Sequence, residues 1–262
     1  HRVIGAIARD GRRFGARLTI ACDGRGSRFR GGFDQVAVGA PMDIFWFRLP
    51  KTMQPDNDSM GVFDRGRIFV LIDRGDYWQC AFVFAKGAAD TIRAQGLDAF
   101  VDRVHAVGPE TAAVAGAIRS WDDVKLLTVT VDRLLRWHRP GLLVIGDAAH
   151  AMSPIGGVGI NLAIQDAVAA ANALAGPMAE GRDPDPLLHR VADRRLWPTW
   201  ATQAFQRAVQ DQVIAPLLGE GTALDEPPLP MRLLDAHPLL RRLPARLIGL
   251  GLRPEHVRSP VA

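Results

Sequence analysis

The segment best suited to chemistry runs from Gly146 to Asn161 and combines an acid, a histidine and four glycines. Asp147 follows the apolar run Leu142–Ile145, which has the composition of a strand buried on both faces. A carboxylate there can accept hydrogen bonds from a polyol or a ribose, and closely spaced glycines let backbone N–H groups approach a flat or anionic group. The alanine-rich stretch that follows predicts a buried helix. The segment therefore predicts strand, loop and helix, the place where α/β sheets bind ligands.

A second acidic turn lies about 120 residues earlier, in the hexapeptide Asp23-Gly24-Arg25-Gly26-Ser27-Arg28. Asp23 ends a predicted strand and can cap the turn, and the glycines permit a tight backbone. Arg28 can offer its guanidinium fork to a phosphate or to a nearby carboxylate. Taken alone, such a hexapeptide is typical of a plain turn.

His150 lies in the same loop as Asp147 and has two interpretations. It can act as a general base, or its imidazole can hydrogen-bond the backbone and hold the loop. We favour the structural role and assign no catalytic residue. The other histidines and the two cysteines have no metal-ligand spacing, so we expect no metal site.

Together, the two segments resemble the class A FAD-dependent monooxygenases, the aromatic hydroxylase family. The resemblance rests on the run Gly146–His150, on the earlier Asp-Gly turn in the family's order, and on the residues Pro154, Gly157, Gly159, Asn161, Asp166 and Ala167. It implies that Asp147 binds the ribityl chain of FAD, that the loop Pro154–Asn161 lies against the flavin ring, and that the Asp23 turn stands between FAD and NAD(P)H. The expected cofactor-binding residues are Asp23, Gly24, Arg28, Gly146, Asp147, Pro154, Gly157, Gly159, Ile160 and Asn161.

One motif of the family is missing, since no Gly-x-Gly-x-x-Gly occurs in the sequence. In the family this motif lies in an N-terminal βαβ unit that holds the ADP half of FAD on a helix N-terminus. The resemblance thus covers nearly all of this chain but only the later part of the enzyme. Because Arg2–Ala8 already has the composition of a strand, we expect the chain to be a fragment. Since the pyrophosphate site is missing and only ribityl and ring contacts remain, we expect it alone to bind FAD weakly or not at all.

The elements that must position these residues can be predicted from pattern. Asp10-Gly11 suits the turn of a hairpin between Val3–Ala8 and Phe14–Cys22. An antiparallel sheet is predicted from the strands Met42–Leu49, Arg67–Ile72 and Tyr77–Ala85. A helical segment is predicted at Ala88–Val107 and a further strand at Lys125–Val131. Two long helices are predicted at Ile160–Ala175 and at 187–209. Pro198 should kink or break the last of these helices.

We therefore expect an α/β fold: a truncated FAD-binding, Rossmann-like domain with an antiparallel substrate-domain sheet and C-terminal helices. Residues 1–39 and 125–176 form its two FAD-binding segments, residues 40–124 the substrate-domain sheet and helices, and residues 177–262 a helical region. In the family the middle sheet roofs the substrate pocket, so one face of its aromatic strands is expected to meet substrate.

Composition excludes several other classes of protein. The chain has 262 residues, 48% hydrophobic and 23% charged, which is globular composition. A net charge of +4, with arginines dispersed among 28 acids, does not indicate nucleic-acid binding. The longest uncharged run, Ala148–Gln165, contains a proline and three glycines, so we expect no integral membrane segment. Two cysteines without a signal peptide favour a reducing, cytoplasmic location.

The function that the resemblance implies is a monooxygenase with a small-molecule substrate. NAD(P)H reduces FAD, oxygen reacts with the reduced flavin, and one oxygen atom enters an organic or aromatic substrate. Two alternatives stay open. One is an FAD-dependent dehydrogenase or reductase of the same superfamily, and the other is a non-catalytic fragment. Substrate identity, the choice between NADH and NADPH and the oligomeric state are left open by the sequence.

Overall fold

The computed structural model describes residues 1–51, 59–64, 67–107, 109–218 and 229–258. It confirms the predicted α/β fold class, since helices are mixed with several small sheets. The chain forms two compact units: His1–Gly39 with Thr130–Arg207 and Leu233–Ala262, and Ala40–Val129 with Ala208–Arg232. The functional division predicted from the sequence stays a prediction.

The strands are β1 Gly5–Ile7, β2 Arg13–Gly15, β3 Thr19–Ala21, β4 Gln35–Ala37, β5 Met42–Pro50, β6 Met60–Asp64, β7 Arg67–Asp73, β8 Tyr77–Ala85, β9 Lys125–Leu127, β10 Asp132–Leu134, β11 His138–Arg139, β12 Leu142–Val144 and β13 His150–Ala151. The helices are α1 Ala89–Ala94, α2 Leu97–His105, α3 Pro109–Ala112, α4 Val158–Ala179, α5 Leu188–Val209, α6 Ala215–Leu218, α7 Leu229–Ala236 and α8 Arg242–Leu250.

In the first unit, β12 is the central strand of a small sheet in the order β11-β12-β3. It runs parallel to β3 and antiparallel to β11. Its side chains alternate between two cores, as expected of a strand buried on both faces. Leu142 and Val144 pack with Trp137 on one side, whereas Leu143 packs with α4 and α5 residues on the other.

The predicted hairpin is confirmed only in its first half. β1 pairs antiparallel with β2 around the Asp10-Gly11 turn. The predicted single strand Phe14–Cys22 divides into β2 and β3, because the second piece leaves the hairpin and pairs with β12. The sequence pattern of alternating residues is the same in both pieces, so it did not reveal the change of partner.

Helix α4 is longer than predicted and is not buried all round. It buries Leu162, Ala169 and Leu174, but Ile160 and Ile164 are 69% and 57% exposed. The segment Ile155–Ala179 is long and apolar enough to cross a membrane, with 33% of its apolar window buried. This is weak support for a span, because core helices of globular proteins have the same length and composition. The helix packs on β12 in this structure.

Helix α5 is continuous across Pro198 rather than broken there. Its apolar residues do not all face inward, since Trp197, Trp200 and Phe205 are exposed. Its buried side instead carries polar groups, among them Arg195, Thr199, Thr202, Gln203 and Gln206. Gln203 and Gln206 donate to backbone carbonyls of the first unit, so this helix serves as a source of hydrogen bonds as well as of apolar packing.

The second unit contains the predicted antiparallel sheet, in the order β6-β7-β8-β5-β9. One face packs on α1 and α2, where the ring of Phe100 makes edge contacts with Phe45, Phe47 and Phe82 at centroid distances of 5.5–5.6 Å. The predicted helix Ala88–Val107 is two helices, because Gly96 between them has a φ of 94°, which favours glycine.

The predicted strand Lys125–Val131 ends earlier, at Leu127. Beyond it, Val131 O accepts from the backbone of Val38 and Gly39, whereas Val129 bonds to two side chains. Val129 N donates to Asp43 Oδ1 at 3.0 Å, and Val129 O accepts from Lys86 Nζ at 2.6 Å.

Candidate functional site

The two predicted loops meet because the strands before them are parallel neighbours. The Asp23 turn follows β3 and the Asp147 loop follows β12, so both leave the sheet at the same edge. Arg25 Nη2 lies 3.8 Å from Asp147 Oδ2. Both side chains are about two-fifths exposed, at 41% and 38%, so the pair is weak and its groups are open to a ligand.

The Asp147 loop begins with a 3-10 turn, Gly146–Ala148. Gly146 has a φ of 59°, and a Cβ at this position would lie 3.1 Å from Ala163 Cβ on α4. Both the backbone angle and the close approach require glycine. The turn buries Gly146 and Ala148 and leaves the Asp147 carboxylate partly exposed at the sheet edge.

The N-terminus of α4 is preceded by Pro154 and a 3-10 turn with two glycines in the left-handed region. Gly157, with a φ of 64°, is the N-cap residue, and no side chain in the described part of the protein caps the helix. The backbone amides of the first turn, at Gly159 and Ile160, therefore carry the positive end of the helix dipole without a side-chain acceptor. Open space adjoins Gly157, since no atom of the described residues lies within 4 Å of a Cβ built there.

Other members of the predicted set have partners within the fold. Asn161 Nδ2 donates to Ile248 O of α8 at 3.2 Å. Gly159 approaches Met152, whose Cβ would be 3.4 Å from an added Cβ. The loop 154–161 thus packs against Met152 and against Ile248 of α8.

The Asp23 turn is built by Gly24, with a φ of 88°, and by buried Ser27, whose Oγ accepts from Phe29 N at 3.2 Å. The side chains of Asp23 and Arg28 are exposed and make no hydrogen bond or ion pair with any residue that the structure describes. A ligand could therefore reach both groups. Within the residues that the structure describes, no atom lies within 4 Å of a Cβ built at Gly24 or at Gly26, so a flat or extended molecule could approach the backbone closely.

Arg30 was missed by sequence reasoning, which singled out the neighbouring arginines. Its side chain, 10% exposed, pairs with Asp132 and donates to Gln35 Oε1 at 3.2 Å and to Arg25 O at 3.3 Å. These contacts hold the turn against β4 and β10. No local pattern indicated this role, because Asp132 is distant in sequence and is brought near only by the pairing of β10 with β4.

His150 has a structural position, but its partner differs from the expected backbone group. Its Nε2 lies 2.6 Å from Asp166 Oδ2, and Arg195 Nε donates to Asp166 Oδ1 at 3.0 Å. All three side chains are fully buried. The imidazole also lies beside the Trp137 ring, with centroids 5.0 Å apart. Asp166 was part of the recognised motif, whereas Arg195 was found only in the structure.

The arrangement brings together groups that can bind hydroxyls, an electron-rich ring edge and an anion. Asp147 can accept hydrogen bonds from hydroxyls, the first turn of α4 can donate to an electron-rich ring edge, and Arg25 and Arg28 can meet an anion. No cluster of three or more His, Cys, Asp or Glu suited to a metal ion occurs among the described residues.

Comparison with known families and proteins gives a consistent result. A family model described as "FAD binding domain" matches residues 5–206. The chain is 33% identical over 206 residues to 6-methylpretetramide 4-monooxygenase of Streptomyces rimosus, covering 76% of this chain and 47% of that protein. It is also 33% identical over 118 residues to the flavin-dependent monooxygenase pboD of Aspergillus ustus, covering 42% of this chain and 24% of that protein. The chain thus spans less than half the length of these relatives.

Solved structures show the same fold at low identity. PqsL, a probable FAD-dependent monooxygenase from Pseudomonas aeruginosa, superposes with a TM-score of 0.68 at 22% identity, covering 83% of this chain and 62% of that one. A mutant of 2-methyl-3-hydroxypyridine-5-carboxylic acid oxygenase gives 0.65 at 19% identity, covering 83% and 59%. The flavin-dependent brominase Bmp2 gives 0.68 at 17% identity, covering 95% and 61%.

Proposed function

Because the chain belongs to the FAD binding domain family of the class A flavoprotein monooxygenases, we propose that it forms the ribityl- and ring-binding part of an NAD(P)H-consuming monooxygenase. The missing Gly-x-Gly-x-x-Gly motif and the share of the relatives that the chain covers support the view that the ADP half of FAD is bound elsewhere in a longer enzyme. The substrate is a small organic or aromatic molecule, and the proposed location is the cytoplasm.

The observation that carries this proposal is the convergence of Asp147, Arg25 and the uncapped N-terminus of α4 in one unit. The bound flavin would supply the redox chemistry, taking a hydride from NAD(P)H and activating oxygen for insertion into the substrate. The Asp147 carboxylate accepts hydrogen bonds from ribityl hydroxyls, which fixes the position of the ring. The amides of Gly159 and Ile160, at the N-terminus of α4, would stabilise negative charge on the bound ring.

The Asp23 turn has a separate task in this proposal. Arg25 and Arg28 carry two exposed positive charges next to open backbone at Gly24 and Gly26. Guanidinium groups bind phosphate bidentately, so these side chains would hold the anionic part of the pyridine nucleotide close to the flavin. Arg25 would exchange its weak contact with Asp147 for this stronger one.

The experiment compares FAD with riboflavin, which lacks the pyrophosphate and adenosine. We expect the 262-residue chain to bind both weakly and with similar Kd in a fluorescence titration, because only ribityl and ring contacts are present. Asp147→Asn should weaken binding of both by about tenfold or more, since hydrogen bonds to a charged group are worth about 1.5–3 kcal/mol. Asp193→Asn, an exposed carboxylate on α5, is the matched control and should change nothing.

Two results would count against the proposal. If FAD binds with submicromolar Kd and riboflavin does not, the chain itself binds the pyrophosphate. The proposal that the ADP half of FAD is bound elsewhere is then wrong. If Asp147→Asn and Asp193→Asn titrate alike, the ribityl assignment is wrong.

A further inference from the structure

One oxygen of the buried Asp166 carboxylate accepts hydrogen bonds from both ends of the loop that carries Asp147. Asp166 Oδ2 accepts from Gly146 N at 3.0 Å and from His150 Nε2 at 2.6 Å. These two donors stand at the two ends of the segment 146–150, and Asp147 lies between them. Because a carboxylate only accepts, the imidazole must carry its proton on Nε2. Its Nδ1 is buried and has no hydrogen-bond partner among the described residues, which agrees with an unprotonated nitrogen there.

The other oxygen of the same carboxylate is held by Arg195, which is also fully buried. The rest of that guanidinium is occupied as well. It donates to Gln165 Oε1 at 3.1 Å and to Arg253 O at 2.8 Å, and its Nη1 lies 3.6 Å from Glu255 Oε1. Arg195 therefore cannot rotate away from Asp166 without breaking bonds to α4 and to the C-terminal segment.

The formal charges of this network balance. Glu255, whose side chain is 2% exposed, pairs with Arg194 as well as with Arg195. Two carboxylates thus face two guanidinium groups, and removal of one partner would leave an uncompensated buried charge. Such a network specifies geometry more than it adds stability, because desolvation offsets most of the attraction.

We propose that Asp166 is the positioning residue of the flavin loop, with Arg195 and the C-terminal residues 253–255 holding its carboxylate in the one orientation that fixes both ends of the segment 146–150. The inference rests on the proposed function, in which Asp147 meets the ribityl chain. Asp166 itself touches neither flavin nor substrate, and it acts by setting where the Asp147 carboxylate stands.

The test uses the difference between a carboxylate and an amide. In Asp166→Asn the charged guanidinium of Arg195 takes the amide oxygen, because hydrogen bonds from a charged donor are stronger, and the NH₂ then faces the N–H donors of Gly146 and His150. Arg195→Met removes the donor on one side, so in the double variant Asp166→Asn/Arg195→Met the amide oxygen is free to face the loop. Glu255 keeps Arg194 as its partner in that variant. Arg190→Met, an exposed arginine of the same helix, is the control in both backgrounds.

We expect the Gly146 amide to exchange its hydrogen at least about tenfold faster in Asp166→Asn and to return to within about threefold of wild type in the double variant. The Kd for riboflavin should follow the same order. A merely structural role predicts otherwise: both variants lose thermal stability, and affinity follows the melting temperature. Unchanged Gly146 exchange in folded Asp166→Asn, or no recovery in the double variant, would overturn the proposal.

The wild-type chain provides a second test that needs no variant and no flavin. Side-chain ¹⁵N NMR should show the His150 ring with its proton on Nε2 and a bare Nδ1, and the Gly146 amide should be strongly protected. A His150 ring without a proton on Nε2, or a Gly146 amide that exchanges like an exposed one, would refute the positioning role even if Asp166→Asn does not fold. If these results hold and no flavin binds, it is the proposed function that fails.

Discussion

Asp43, near the beginning of the segment Ala40–Val129, forms a hydrogen bond with Val129 at its end. Replacing Asp43 by alanine should therefore destabilise the second unit. The carboxylate is 4% exposed and accepts from Lys86 Nζ at 2.7 Å, from Gly87 N at 3.0 Å and from Val129 N at 3.0 Å. In Asp43→Ala these three donors lose their acceptor at once. The consequence for each donor depends on its access to water.

The three losses are unequal. Gly87 is exposed and the Lys86 side chain is 40% exposed, so water replaces the carboxylate there and the ion pair is worth about 0–1 kcal/mol. Val129 is 2% exposed, so its N–H is left unpaired in the interior, at about 1–3 kcal/mol. We therefore expect Asp43→Ala to lower the free energy of unfolding by about 3 kcal/mol. Asp43→Asn, whose amide oxygen can still accept from Val129, should lose about 1 kcal/mol.

The effect should also depend on pH in a defined direction. Burial alone would raise the pKa of Asp43, but the hydrogen bonds from Lys86, Gly87 and Val129 outweigh it and hold that pKa below its ordinary value of 3.8. A carboxyl whose pKa is lowered on folding contributes stability that is fully present above 3.8 and is lost as pH falls through the lower, folded value. The gap between wild type and Asp43→Ala should thus narrow in acid.

Urea unfolding followed by circular dichroism, at neutral pH and at stepwise lower pH, measures this gap. Asp76→Asn, an exposed carboxyl in the turn between β7 and β8, is the control and should leave the midpoint unchanged. The reasoning is refuted if Asp43→Ala unfolds within about 0.5 kcal/mol of wild type at neutral pH, or if the gap is the same below pH 3.8.

Further predictions concern thiols, the loop glycine and the two arginines. Burial raises the pKa of Cys80 to about 12, so a thiol reagent at neutral pH should modify exposed Cys22 alone in the native chain and both thiols in denaturant; two fast thiols in the native chain would contradict this. Gly146→Ala should lower the free energy of unfolding by about 1–3 kcal/mol in the same urea assay and also weaken riboflavin binding, because its φ of 59° and the nearby Ala163 leave no room for a Cβ. In the flavin-loaded enzyme, Arg25→Ala and Arg28→Ala should slow the reduction of the flavin by NAD(P)H, measured by stopped flow, and leave the reaction with oxygen unchanged. If the variants are reduced as fast as wild type, the proposal that these arginines bind the pyridine nucleotide is wrong. Labelled dioxygen should leave one labelled atom in the product, whereas product formed at full rate without oxygen would select a dehydrogenase.

The local elements of the site were predictable from the sequence. The apolar run before Asp147, the glycines after it and the alanine-rich stretch beyond predict strand, loop and helix, and these are observed as β12, the 146–157 turns and α4. Such elements depend on hydrophobic period and on allowed backbone angles, which are properties of a few neighbouring residues. The family resemblance rests on the same local motifs.

Only the tertiary structure decided which distant groups meet. Arg25 reaches Asp147 because β3 leaves its hairpin and pairs in parallel with β12. Arg195 lies on a helix whose sequence shows an apolar stripe, yet the later turns of that helix bury polar side chains, because Asp166 and the backbone carbonyls of Asp132, Ala151 and Ser153 accept hydrogen bonds from them. Hydrogen-bond satisfaction of buried groups is set by the whole fold and leaves no periodic trace in the sequence. The residues suited to chemistry can therefore be found from local sequence motifs. The residues that orient them are brought into contact by long-range packing, so they are found only from the tertiary structure.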